Sequence, residues 1–152
     1  MPAGSRAPAL PHTWRPLGAR VAVYVFGGLL LVVLAVTWFA LGEEVRSTFS
    51  VLQRITLVVL GLMLFACYHA LIRSRVVATD VGLTVVNGYR TRRYEWSQIL
   101  AVQLGRGAPW GTLDLSDGET VSMIGVQGSD GDRARRAVRE IRACVDEHTP
   151  AA

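Results

Sequence analysis

The densest chemistry in the chain lies in VVNGYRTRRYEW, residues 85–96, where Arg90, Arg92 and Arg93 sit among Tyr89 and Tyr94 behind an Asn-Gly turn signal. Guanidinium groups mixed with aromatic rings suit anionic lipid headgroups. Each basic residue near an anionic leaflet contributes on the order of 1 kcal/mol, and the effect fades within a Debye length of ~8 Å. Arg73 and Arg75 follow a long apolar run just upstream and would extend the patch. The competing account is structural, because charges along a strand also discourage pairing with foreign strands. At the level of residues both readings stand.

The other reactive residue types form no constellation. GRGAPWG, residues 105–111, lacks the Lys-Ser/Thr of a phosphate loop and opens no helix, so it reads as a connection between strands, with Trp110 on the sheet or at a membrane interface. His69 follows Tyr68 near the inner end of the apolar run and reads as an interfacial anchor, and Ala66 and Ala70 form a small-xxx-small pair. Asp114, Asp117 and Glu119 gather at a hairpin tip, where carboxylates stay hydrated. No Ser, His and Asp stand in a nucleophile setting. Cys67 and Cys144 read as small buried hydrophobes, and no Cys or His pair has ligand spacing, so neither catalysis, metal nor cofactor is expected.

These residues must be positioned by something, and composition says what. Of 152 residues 51% are hydrophobic, and the excess concentrates in residues 21–41 and 55–72, which contain no Asp, Glu, Arg or Lys. About 20 residues at 1.5 Å each cross a ~30 Å hydrocarbon core, so both windows can span a bilayer. The first is too long for a secretory signal and no small-x-small site follows it, which favours retention. The net charge of +4 comes from arginine alone. No zinc-finger spacing or RNP-like aromatic motif supports a nucleic-acid partner, and basic flanks around membrane spans account for the charge.

Residues 1–20, with Pro2, Pro8, Pro11, Pro16, Arg6, Arg15 and Arg20, read as an extended, poorly ordered tail. The short link GEEVRSTFSVLQR makes residues 21–73 an antiparallel helical hairpin. Arginines crowd the outer flanks of the spans while Glu43 and Glu44 sit in the link, so both termini are expected in the cytoplasm, with the chain multi-pass in the cell (inner) membrane. Trp14, Trp38 and Tyr68 fall where interfacial rings belong.

Past residue 75 the pattern changes to short β-branched and aromatic runs: RVVATD, GLTVVN, RTRRYEW, ILAVQL, GTLDLS and ETVSMIG. Asp117-Gly118 predicts a tight primed turn. Asn87-Gly88 gives the same signal, but a two-residue turn there puts Leu83 and Val85 on one sheet face with Arg90 and Arg92; a bulge or longer loop would move them apart. A closing amphipathic helix carries Ala134, Ala137, Val138, Ile141, Cys144 and Val145 on one stripe, with Ser129, Asp130 and Asp132 as cap and first-turn acids. The expected fold class is α+β: a transmembrane hairpin, then a domain over residues 76–149 of antiparallel strands closed by that helix.

Two spans, GLTVVNGYRTRRYEW, the Trp-initiated turn WSQI, the DGET hairpin and a final helix together resemble the small actinobacterial membrane proteins with a pleckstrin-homology (PH)-like domain, of the low-molecular-weight protein antigen 6 type. Gly82, Asn87, Gly88, Arg92, Arg93 and Trp96 carry the resemblance. It implies a partly opened barrel of about seven strands capped by the terminal helix, and a binding platform rather than an enzyme. In inositol-phosphate-binding relatives, bases cluster between the first two strands. Here that loop, Thr79-Asp80-Val81-Gly82, holds an acid and no base. The expected function is a membrane-held module for protein partners; the alternatives are an anionic-lipid sensor working through the arginine hairpin, or an accessory subunit of a transporter or envelope complex.

Overall fold

The computed structural model describes residues 7–149. Two long helices, α1 (Leu17–Ala40) and α3 (Val51–Arg73), are joined by a short one, α2 (Glu43–Thr48). At 1.5 Å per residue α1 and α3 are each about 35 Å long, with mean hydropathy 2.4 and 2.3 and no buried residue. They are the two apolar windows of the sequence, each starting four residues earlier than expected and ending within one residue of the expected end. Ser50 and Gln53 start α3 with a reciprocal capping box, and Gly27 of α1 faces the Tyr68 ring of α3.

The strands fold as two antiparallel sheets. The first has the order β1-β2-β3-β4, with β1 (His12–Trp14), β2 (Arg75–Thr79), β3 (Gly82–Asn87) and β4 (Arg90–Glu95). The second has β5 (Ile99–Gln103), β6 (Trp110–Leu115) and β7 (Thr120–Gln127) side by side. The final helix α4 (Asp132–His148) buries the six stripe residues expected of it. They join Val76, Leu83, Val85, Ile99, Leu113 and Met123 in one core. The sheets close on each other at Gly125, where a Cβ would lie 2.7 Å from the Arg75 backbone, so β7 can cross β2 only with glycine there. This is the α+β, PH-like architecture.

Three local expectations need correction. Residues 1–6 of the supposed tail lie outside the described residues, but from residue 7 onward the segment is part of the fold. His12–Trp14 pairs with β2 in the register His12↔Ala78, Thr13↔Val77, Trp14↔Val76. Trp14 is only 7% exposed and belongs to the core instead of a membrane interface. Its indole carries enough apolar area to hold a three-residue strand in place, and its Nε1 donates to Glu140 Oε2 of α4 at 2.8 Å.

The β3–β4 turn is the second. Asn87 pairs with Arg90, so Gly88 and Tyr89 are the central turn residues, with Gly88 at φ +62° as the first position of such a tight turn requires. The ladder runs from Gly82↔Glu95 to Asn87↔Arg90 without a bulge, and Val85 therefore faces Arg92 across the pair. Core and charge do share this face. The conflict is relieved because β4 is the edge strand, where the long arginine stems reach water.

Third, Asp117-Gly118 forms a longer turn than expected. The Gly118 N–H bonds the Leu115 carbonyl, and the Leu115 N–H bonds that of Glu119; Gly118 alone has positive φ, and the Asp117 carboxylate accepts from the Glu119 N–H at 2.9 Å. Trp96, in the short turn Trp96–Gln98, donates from Nε1 to the Thr79 carbonyl and stacks on His148, tying β2 to the end of α4.

Candidate functional site

The five arginines singled out by sequence do not converge. Direct cross-strand partners share a face, so Arg75, opposite Val86, and Arg93, opposite Thr84, lie on the outer face of the first sheet, while Arg90 and Arg92 lie on the inner one. Arg92 is engaged: its guanidinium meets Glu119 Oε1 of the β6–β7 hairpin at 2.6 Å, with both side chains half exposed. Tyr94 and then Glu119 raise its pKa further above the ordinary value. Arg90 and Arg92 line a groove of only ≈ 180 Å³ together with that same glutamate. Arg73, in the last turn of α3, lies over the Tyr89 ring at 5.6 Å.

The turn beside these arginines is instead a joint. Gly88 rests against Ala70 of α3, where a Cβ would come within 3.1 Å of the alanine methyl, and its N–H donates to Ser74 Oγ at 3.0 Å. Ser74 Oγ in turn donates to the Ala70 carbonyl. The Tyr89 hydroxyl donates to the Ala66 carbonyl at 3.1 Å and meets His69 Nδ1 at 3.0 Å. With the hydroxyl proton given to Ala66, His69 is the donor and carries a hydrogen on Nδ1. On the other side Asn87 donates to the Ser122 carbonyl and accepts from the Ile124 N–H, binding the turn to β7. Asn87 and Gly88, expected as turn residues, therefore also connect the end of α3 to the domain.

A second joint holds α1. Asp130, expected to cap α4, accepts from the Leu17 and Gly18 N–H groups at 2.9 and 2.8 Å, while Gly131 stands at the N-cap of α4. A helix has four unpartnered N–H groups at its start and a positive dipole end, and this carboxylate from 113 residues away satisfies two of them. Sequence adjacency pointed to the wrong helix.

Beside this joint β1, β7 and the first turns of α4 enclose a groove of ≈ 400 Å³ whose walls carry Arg15, Arg133, Arg136 and Glu140 over Gly125 and Val126. Arg133 and Arg136 are neighbours on one face of α4. The sequence offered no sign of this grouping, since Arg15 precedes both apolar helices and reaches the groove only through the unforeseen β1. No cluster of His, Cys, Asp and Glu fit to hold a metal exists among the described residues. Cys144 is fully buried, and burial first, then Glu147 and Glu140, push its thiol up to about 11, which keeps it protonated and unreactive at neutral pH.

A family profile described as "Bacterial PH domain" matches residues 73–143. The uncharacterized protein Rv1417 of Mycobacterium tuberculosis and the uncharacterized protein Mb1452 of Mycobacterium bovis are each 30% identical over 146 residues, covering 92% of this chain and 88% of theirs. No solved structure matches at a significant level. The profile covers β2 through most of α4 and leaves β1 outside, whereas the mycobacterial relatives match across the two apolar helices as well. The chain belongs to the family of these mycobacterial proteins, and its own residues 73–143 match the bacterial PH domain profile.

Proposed function

We propose that this is a two-span protein of the cell membrane, both termini cytoplasmic, that presents its PH-like domain as a docking module for a protein partner and performs no catalysis. The observation that carries the reading is β1. It precedes the first apolar helix yet pairs with β2, which follows the second. Two strands of one sheet lie on one side of any bilayer threaded between them, so the chain must cross an even number of times, and α1 and α3 supply the two crossings. Their apolar surfaces, Phe26 at 65% exposure and Phe65 at 67% among them, far exceed the few hundred Å² of patch that a soluble monomer shows.

The surface left for a partner is narrow. The apolar stripe of α4 is consumed by the core, while β4 offers an edge studded with Arg90, Arg92 and Arg93 that suits an acidic segment better than a hydrophobic strand. Lipid sensing through that hairpin is the weaker reading, because Glu119 neutralises Arg92 and the remaining arginines face two sides. Kinship with the low-molecular-weight protein antigen 6 type is the finer form of this family assignment.

In-membrane crosslinking from β4 followed by mild-detergent purification tests the proposal. A reproducible partner lost on charge reversal at Arg90 and Arg93 is expected. Crosslinks to lipid alone, or none, overturn the docking role, and capture of a multi-span assembly through α1 or α3 would make the chain an accessory subunit.

A further inference from the structure

The groove between β1, β7 and α4 has no part in the docking role, and its chemistry is specific. Three arginines from two separate segments, Arg15 before α1 and Arg133 and Arg136 on α4, are exposed along its walls and make no ion pair among the described residues. Two carboxylates line the same groove: Asp130 accepts from the Leu17 and Gly18 N–H groups and Glu140 from the Trp14 indole N–H, so three arginines against two acids leave the groove with a formal excess of one positive charge. Those hydrogen bonds aim the two carboxylates at the start of α1 and at Trp14, and neither acid forms an ion pair with the three arginines among the described residues.

The position of the groove selects the ligand. Arg15 stands two residues before α1, and Arg133 lies within one helical turn of the residue that caps it. Leu17 and Val21, 48% and 52% exposed, begin the apolar flank of α1 directly beside this cationic site. A guanidinium cluster matches phosphate oxygens, and an apolar flank beside it matches an acyl chain.

We infer that Arg15, Arg133 and Arg136 bind the phosphate of an anionic phospholipid headgroup, with the acyl chains lying along the start of α1. This rests on the membrane reading above. The site differs in place and composition from the β4 hairpin, and it exists only because β1 brings Arg15 to α4. Shared phosphate chemistry leaves a soluble phosphomonoester as the other source of ligand.

The test uses the full chain in phosphatidylcholine nanodiscs doped with a minor fraction of spin-labelled phosphatidylglycerol. A motionally restricted phosphatidylglycerol population is expected. It should weaken about a hundredfold in the Arg15→Gln, Arg133→Gln, Arg136→Gln triple variant, as three interfacial charges imply. The corresponding Lys triple variant should stay within about threefold of the parent, and an Arg90→Gln, Arg93→Gln variant should be unchanged. No restricted population in nanodiscs that contain the chain, or equal loss in the Arg90 and Arg93 variant, overturns the site. Displacement by free glycerol phosphate overturns the lipid assignment in favour of a soluble ligand. A chain that never enters the nanodiscs overturns the membrane reading, and this inference with it.

Discussion

None of the 24 residues of α1 is buried, whereas six of the 17 residues of α4 are. The two helices differ in what their apolar residues meet. α4 has one apolar stripe, a protein core to receive it, and arginines on the face turned to water. Past Arg20, α1 carries apolar residues on every side with none of them buried, and its first turn is bonded to Asp130 of the domain. The same contrast holds within the domain: Trp14, which borders α1 in sequence, behaves like a residue of α4, sealed in the core and bonded to Glu140. The boundary between the exposed apolar helix and the core-packed chain therefore runs at residues 16–17, and the domain begins before the two apolar helices.

The sharpest way to break that contrast is Trp14→Ala. Removing a core indole that also pins β1 should cost about 3–5 kcal/mol, read by denaturant unfolding of the domain in detergent micelles. A loss below about 1 kcal/mol would place residues 7–16 outside the domain. Cys144 gives a second handle. Its folded pKa of about 11 lies above the ordinary thiol value of 9.0, so the folded state holds the proton more tightly. That stabilisation is complete below about pH 9 and is lost as pH rises through 11. The unfolding midpoint of the parent should fall across this window, and a Cys144→Ala variant should lack that component of the decline.

Asp130→Ala sharpens the comparison at its hinge. It should destabilise the start of α1 by about 1–2 kcal/mol, seen as faster amide exchange at Leu17 and Gly18, while Asp132→Ala leaves those amides unchanged. Faster exchange confined to α4 would return Asp130 to the role that adjacency suggests. The smallest effect belongs to Arg92→Gln. A half-exposed ion pair is screened by water and contributes little, so a thermal melt should barely move.

The legible part of this molecule was the part whose signal is local. Leu113 and Leu115 alternate within one strand, and Ala134 through Val145 recur within one helix, so their neighbours in space are set by period alone. The apolar windows needed only length. β1 was illegible because three residues among prolines have no period, and their partner strand lies beyond both long helices. Asp130 misled for the same reason: its ligands are N–H groups 113 residues upstream. The arginines of β4 were visible as a cluster in sequence, but a strand sends alternate residues to opposite faces, and what had looked like one patch divided into two.

A single disulfide measurement tests the central claim most directly. In a chain with Cys67 and Cys144 replaced by alanine, Thr13→Cys and Val77→Cys would face each other across β1 and β2. If the spans thread a bilayer between two strands of one sheet, the pair oxidises to an intramolecular disulfide in membranes that retain the chain after alkaline carbonate washing. Release of the chain by carbonate, or retained chain whose two thiols react only with reagents on opposite sides of the membrane, contradicts the account.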